Sequence, residues 1–417
     1  MDIISGLSEE LLIKILSYLP TKVAVSTSLL SKQWEFIWMW LPKLEYNSKY
    51  YSESECERLR CFLDRNLPLH RAPVLESFRI QFRHPHLKPE DIKLWLLTVV
   101  SRCIRELEVS YSYPLKELNV LPSSLYTCKL LVTLRLNGPI LLDVPRMVCL
   151  PCLKKLRLHR VTYVNKGSLQ RLLSNCPVLN DLSVEEPNST RPMRNLSVIV
   201  PSLLRLTIDM ICVLDEFVIN TPSLEYLKLE YYSDKSHRCL IENMPKLREA
   251  SVEVLFPYIK RLIGSITNVK KLTLCLSDCS EPLYGDGFVF NQLEHLKLCV
   301  CPKSSSNVLV QLLKDSPNLR VLDLFEMEDH VPRRMDGWNQ PTTVPECLLS
   351  SLETFNWSGY LGRPQERDIA IYILKNARCL KTVKILSEAC FVSRDDMLKE
   401  LALCPRASTT CQLVFDS

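Results

Sequence analysis

The sequence predicts an α/β protein: a short N-terminal three-helix bundle, then an irregular solenoid built on a curved parallel sheet, closed by a C-terminal cap. Three observations predict it. A six-residue unit with leucine or a close substitute at positions one, four and six recurs thirteen times. Proline recurs two residues before the first position of many units. The first 46 residues follow a helical period instead.

The units begin at Leu75, Ile104, Leu131, Leu153, Leu179, Leu203, Leu224, Leu247, Val269, Leu293, Leu319, Leu352 and Leu380. From Leu131 to Leu319 they are 21 to 26 residues apart. The fourth and sixth positions share one face of a strand and are apolar, whereas the third, fifth and seventh share the other and are mostly polar. Stacked in parallel, such strands make a continuous core on one side and a continuous open face on the other. The returns are mixed. Leucine spacing predicts helices over 168–175 and 308–315, and alternation predicts extended segments over 195–200 and 216–220. Pro151, Pro177, Pro201, Pro222, Pro245 and Pro317 stop the returns ahead of the strands, because proline lacks the donor that would prolong a helix.

In the N-terminal segment Ser8 is positioned to cap a helix, with Glu9 and Glu10 in its first turn. Leu11, Leu12, Ile15, Leu16 and Leu19 form one apolar stripe, ended by Pro20. Thr21 is expected to cap a helix over 22–30, and Ser31 a third over 32–41 that is apolar nearly all round. So small a bundle cannot bury that much apolar surface alone; the repeats and a partner protein must supply the rest.

At the other end, 326–343 reads as a loop and 344–417 as a terminal module. The latter holds the last two units, an amphipathic helix over 367–376, a second helix over 395–403 and an extended end. The resulting domains are 1–46, a linker and helical lead-in over 47–70, repeats over 71–325, the loop, and the C-terminal cap.

Composition excludes several functions. Leucine supplies 74 of 417 residues and glycine only nine, against the ~7% glycine of an average chain. No glycine-rich phosphate loop occurs, and no motif of a serine hydrolase or zinc protease. The chain has no apolar run near the ~20 residues of a membrane span. A net charge of +5 without a long like-charge block argues against a nucleic-acid arm. The N-terminus shows no signal peptide, so the 18 cysteines are expected to be reduced and the chain to reside in nucleus or cytoplasm. Three Asn-x-Ser/Thr matches, beginning at Asn188, Asn195 and Asn356, are then coincidental. Cys149-Leu150-Pro151-Cys152 has no second cysteine pair at zinc-site spacing, and His84-Pro85-His86 stands alone. No metal, cofactor or catalytic set is expected.

The seventh positions of successive units read His159, Glu185, Asp209, Glu230, Glu253, Cys275, Cys299 and Phe325. Four carboxylates in one column are repulsive at strand spacing unless offset, and Lys228 and Arg205 lie beside them. Glu185, Asp209, Glu230, Glu253 and Phe325, with the softer Cys275 and Cys299, form a candidate face for a basic and apolar segment. A solvated surface is the plainer reading.

Three resemblances follow from these residues. The repeat resembles the leucine-rich repeat, except that Pro139, Val161, Pro187 and Ile211 stand where that family places the Asn or Cys of its turn ladder. Leu7-Ser8-Glu9-Glu10-Leu11-Leu12 through Leu19-Pro20, followed by Ser31-Lys32-Gln33-Trp34 and Trp38, resembles an F-box, with Ser8 where Pro is common and Gln33 where a basic residue is common. Leu352-Glu353-Thr354-Phe355-Asn356-Trp357, Ile373-Leu374-Lys375-Asn376-Ala377 and Cys404-Pro405-Arg406-Ala407-Ser408 resemble the FBD module of plant F-box proteins. Together these imply a non-catalytic, substrate-recognising subunit of an SCF-type (cullin–RING) ubiquitin ligase. Leu7, Leu11, Ile15, Leu16, Leu19, Pro20 and Trp34 would meet a Skp-type adaptor and, through it, the cullin and RING subunits; several of them could equally form the bundle's own core. The alternatives are a small-molecule or hormone receptor on the same scaffold, for which Arg135 and Arg157 are the hint, and a scaffold outside any ligase.

Overall fold

A computed structural model describes the chain except for residues 1–5, 49, 83–87, 112–118, 186–192, 212, 233–235, 256–258, 277–287, 328–334, 336, 388–400 and 417. The motif at Asn188, the His84–His86 pair and most of the helix expected over 395–403 lie outside the described residues. The chain divides into two compact units, residues 1–203 with 214–218, and residues 204–213 with 219–417.

The first unit opens with α1 (Glu9–Leu16) and α2 (Thr21–Ser26). Ser8 holds the cap position of α1 in an extended conformation, without a side-chain hydrogen bond. The expected helix over 22–30 tightens into a 3-10 turn at Thr27–Leu29. Its sequence explains this: Ser26, Thr27 and Ser28 each donate to the carbonyl three residues back, at 2.7 Å, an alternative that competes with helix continuation. Thr21 does not cap α2; its Oγ1 accepts from the Glu45 backbone N–H at 2.8 Å. The expected third helix is a run of turns and a 3-10 turn, Ile37–Trp40. Aromatic and β-branched residues are weak helix formers, and here Trp34, Ile37, Trp38, Met39 and Leu41 are all buried, so packing decides the backbone.

There follow β1 (Lys43–Asn47), α3 (Glu53–Asn66), β2 (Ser77–Phe82), α4 (Pro89–Val100), β3 (Glu106–Tyr111), β4 (Asn119–Val120), β5 (Thr133–Asn137), β6 (Ile140–Leu142), β7 (Lys155–His159), β8 (Thr162–Tyr163), α5 (Ser168–Leu173), β9 (Asp181–Glu185) and β10 (Asn195–Ile199). In this unit six strands pair in parallel in the order β1-β2-β3-β5-β7-β9. The short β4, β6 and β8 make a second sheet on the return path. The strand template has the expected consequence: Leu156 and Leu158 are at most 1% exposed, while Lys155 and Arg157 face out.

The second unit contains β11 (Arg205–Met210), the end of β12 (Leu214–Asn220), β13 (Tyr226–Tyr232), β14 (Ser236–Ile241), β15 (Glu249–Leu255), α6 (Ile259–Ser265), β16 (Lys271–Leu276), β17 (His295–Cys299), α7 (Ser305–Asp315), β18 (Val321–Phe325), α8 (Glu346–Ser350), β19 (Thr354–Tyr360), α9 (Pro364–Asn376), β20 (Thr382–Ser387) and β21 (Gln412–Asp416). Nine strands pair in parallel in the order β11-β13-β15-β16-β17-β18-β19-β20-β21. All thirteen units of the repeat become strands, each beginning two residues after the leading apolar residue. β1, unforeseen, extends the series.

Where the family's Asn ladder is missing, backbone groups take over. Gly138 N–H donates to His159 O at 2.9 Å, and Arg160 N–H, with Arg160 at φ 56°, donates to Glu185 O at 3.1 Å. In the C-terminal module Trp357 is fully buried between Phe355 and Tyr360, both edge-on to it. Glu366 is also buried, and accepts from the Leu361 and Arg363 backbone N–H groups at 2.9 and 3.2 Å. Burial still pushes its carboxyl up.

Candidate functional site

Two surfaces stand out, and neither is a catalytic pocket. The first is on the N-terminal bundle. Helix α1 is amphipathic in an unusual sense, because both of its long faces are apolar. Leu12 and Leu16 are fully buried, and Trp34 is buried as well, at 7% exposure. On the other face Leu11, Ile15 and Leu19 remain 48, 43 and 39% exposed, with Tyr18, Leu29 and Leu30 more exposed still. Exposed apolar side chains are ordinary one at a time, whereas seven within residues 11–30, Val23 among them, are a concentration that a protein–protein contact would use. Pro20 is exposed at the end of this face and Leu7 half-buried at its start. Gln33 Nε2 donates to the Leu7 carbonyl at 3.3 Å, tying the start of the segment to the turn that carries Trp34.

The second surface is the polar face of the strands. In the first unit the fifth positions form a charge ladder, Glu45, Arg79, Glu108, Arg135, Arg157, brought side by side by the strand register. Arg135 lies 3.3 Å from Glu108, and Arg79 lies 3.9 Å from Glu108 and 3.8 Å from Glu106. His159 Nδ1 meets Glu185 Oε2 at 2.6 Å. In the second unit Lys228 pairs with Glu230 at 2.6 Å, and that contact raises the lysine's pKa. Arg205 lies over the Tyr226 ring and Lys297 over the Phe325 ring.

Asp323 is a further node in that unit, accepting from His295 Nε2 at 2.6 Å and Asn356 Nδ2 at 2.7 Å. Burial alone would raise its carboxyl. The two hydrogen bonds and the nearby positive charge outweigh it, and its pKa is lowered.

Residues 4–46 match the F-box domain, residues 92–262 match the LRR repeats of FBD-associated F-box protein At5g56370, and residues 340–385 match FBD. The chain is 58% identical over 416 residues to FBD-associated F-box protein At4g10400 of Arabidopsis thaliana, covering 100% of both chains. The chain belongs to the FBD-associated F-box family. A second relative from the same plant, FBD-associated F-box protein At5g38590, is 54% identical over 410 residues, 96% of this chain and 98% of its own.

The apolar surface lies within the residues that match the F-box domain. F-box domains generally bind Skp1-type adaptors, and F-box proteins with leucine-rich repeats are generally SCF substrate receptors. The seven residues singled out in the sequence separate by burial. Leu11, Ile15, Leu19 and Pro20 are exposed, Leu7 is intermediate, and Leu16 and Trp34 lie inside the bundle. Tyr18, Leu29 and Leu30 were overlooked.

The expected Cys275/Cys299 surface patch is corrected by the structure. Both thiols are buried with Cys301, at 2, 1 and 3% exposure, and Phe325 and Met327 pack against them. The Met327 backbone N–H donates to Cys301 Sγ at 3.3 Å. A hydrogen bond with Cys275, ahead of burial, pushes the Cys299 thiol up to about 12, which leaves it protonated and unreactive near neutrality. Glu253, expected in the exposed column, is 8% exposed. The described cysteines are all free, and no group of three metal-ligating side chains occurs among the described residues.

Proposed function

We propose that this chain is the substrate-recognition subunit of an SCF-type ubiquitin ligase. Its F-box face docks a Skp-type adaptor, which links it to cullin and RING subunits, and the polar face of its repeat strands holds a target protein for ubiquitination. The observation that carries this reading is the division of α1 into a buried face (Leu12, Leu16) and an exposed apolar face (Leu11, Ile15), which Leu19 in the following turn prolongs. A helix of an isolated bundle has no use for the second face. Burying a leucine-sized side chain stabilises by about 1.5–3 kcal/mol, so three or four of them supply much of a specific association.

The adaptor set on this reading is Leu7, Leu11, Ile15, Leu19 and Pro20 at the surface, with Leu16 and Trp34 holding the helix in place from within. On this reading Glu185 in the first unit, and Asp209, Glu230 and Phe325 in the second, face the substrate, whereas Glu253, at 8% exposure, does not. Glu185 and Glu230 are offset by His159 and Lys228, so this column offers hydrogen-bonding polarity more than net negative charge. The chain itself supplies no transfer chemistry on this reading; the RING subunit and its conjugating enzyme do. It would work in the nucleus or cytoplasm.

The hormone-receptor alternative gains little. A cleft of about 900 Å³ lies beside Tyr18, Leu19 and Pro20, but two of its cations, Lys43 and Arg79, are already paired with Glu76 and Glu106. Co-purification of a Skp-type adaptor with the full chain, lost when Leu11 and Ile15 are both changed to Asp, is the direct test. An adaptor that never co-purifies would place the chain outside the ligase.

A further inference from the structure

Strand β7 and the residue on either side of it carry five basic residues in seven: Lys154, Lys155, Arg157, His159 and Arg160. Leu156 and Leu158 between them are core residues at 0 and 1% exposure. Alternation along a strand therefore turns Lys155, Arg157 and His159 to the same open face. His159 is engaged with Glu185. Lys155 and Arg157 are exposed and form no ion pair among the described residues.

Their surroundings make this more than a stray charge. The ladder Glu45–Arg79–Glu108–Arg135 alternates sign, and each cation in it has an acidic partner. Arg157 breaks the alternation, standing in register with Arg135 on one side and Ser183 on the other. Two guanidinium groups on adjacent strands, about 4.8 Å apart at the backbone, repel each other. Arg135 turns to Glu108, and Arg157 is left without an anion. A like-charged pair on an open sheet is stabilised by whatever negative group comes to lie across it.

We propose that β7 is a carboxylate-binding site, which receives an extended acidic segment of the target protein. This deepens the receptor reading and rests on it for the owner of the segment. Lys155 and Arg157 are two residues apart on one strand, so their side chains emerge about 7 Å apart. Acidic residues at alternate positions of an extended segment repeat at the same distance. Arg157 engages a carboxylate through its planar fork, and Arg135 flanks it. Asp181 and Glu185, on the next strand, limit the site. They repel a nucleic acid, whose phosphates run on without gaps, and they tolerate a short peptide that carries charge only opposite β7. The neighbouring face residues Thr133, Asn137 and Ser183 also offer no aromatic ring for a base to stack on.

The test is fluorescence anisotropy on the full-length chain, with three labelled probes: a nine-residue peptide of alternating Glu and Thr, its Lys–Thr counterpart, and a nine-nucleotide oligothymidylate. The Glu–Thr peptide should bind and weaken steeply with salt, as exposed charge pairs do. Lys155→Glu with Arg157→Glu should weaken it at least tenfold, Arg157→Lys only a few-fold, and Lys271→Glu on β16 not at all. Circular dichroism checks the fold of each variant; if the double variant misfolds, Arg157→Gln decides, with a loss of a few-fold or more required. Equal binding of the Glu and Lys peptides, or binding unchanged in the β7 variants, overturns the proposal. Tighter binding of the oligonucleotide than of the Glu–Thr peptide also overturns it, in favour of a phosphate reader. Adaptor co-purification on the same preparations separates the two failures. An adaptor held without peptide binding refutes only this site, and an adaptor not held refutes the receptor reading.

Discussion

Leucine does opposite things in the F-box and in the repeats. In the strands the fourth and sixth positions, such as Leu227 and Leu229 on β13, are 0 and 1% exposed, and each is covered by the chain itself. In α1 the alternate face, Leu11 and Ile15, is nearly half-exposed, as is Leu19 in the turn that follows. A solenoid strand always has a neighbouring unit to bury against, whereas a bundle of fewer than fifty residues does not. Abundance of leucine therefore measures core in the repeats and exposed apolar surface in the F-box.

The comparison breaks most visibly within α1. Leu12→Asp places a charge in the bundle interior and should unfold it, a cost of more than about 4 kcal/mol. Leu11→Asp, one residue away, should leave stability within about 0.5 kcal/mol and yet abolish adaptor binding. Chemical denaturation followed by tryptophan fluorescence, together with a pull-down, separates the two. Similar stability losses from both would erase the distinction between the faces.

In the repeats, Leu229→Ala should cost about 3 kcal/mol in urea denaturation, because it opens a cavity in a core already close-packed. A loss under about 1 kcal/mol would mean that β13 is loosely packed. The matching change in α1, Ile15→Ala, should cost far less.

A third prediction concerns the junction that holds the F-box to the following segment. His70 is 3% exposed, its Nε2 lies 2.9 Å from the Leu41 carbonyl, and burial lowers its pKa to about 4. The backbone N–H groups of Arg71 and Ala72 both donate to the Met39 carbonyl beside it. The unfolded histidine titrates near 6.5. Between that value and about 4 the unfolded state therefore binds more protons than the folded state, and stability falls as the pH falls. The loss on going from pH 7 to pH 5 should be on the order of 2 kcal/mol, and His70→Gln should remove most of that pH dependence. A wild-type stability equal at the two pH values would contradict it.

The smallest effect is expected on the polar strand face. Arg135→Gln removes a half-exposed ion pair with Glu108, and such pairs are worth about 0.5 kcal/mol or less. Thermal unfolding should barely move. A shift of several degrees would mean that the ladder, and not the leucine core, holds the register of these strands.

Much of this architecture was legible because the repeat fixes three apolar positions in six. The template located thirteen strands, and the Pro-terminated returns at α5 and α7 were readable from leucine spacing. β1 was missed although Leu41-x-x-Leu44-x-Tyr46 fits the same template. It follows the F-box directly, and its sixth position is an aromatic. α4 carried its own signal, Pro89 at the first helical position and Glu90 and Asp91 in the first turn. It was hidden by an apolar run without clean periodicity.

The functional surfaces were less legible. A helical stripe does not say which half the chain covers, because the cover comes from turns at 34–41 that no propensity fixes. The polar column of the strands looked uniformly open, yet Cys275, Cys299 and Glu253 are buried. Phe325 and Met327 pack over the cysteines, cover that alternation alone does not encode.

If the exposed face of α1 joins this chain to a ligase, changing that face alone must release the adaptor. A Skp-type adaptor is co-expressed with the full chain and with the Leu11→Asp, Ile15→Asp variant, and the purified complexes are weighed by light scattering. The account requires a one-to-one complex with the wild-type chain and a free, folded chain with the variant. A free wild-type chain, or a variant that still carries the adaptor, would contradict it.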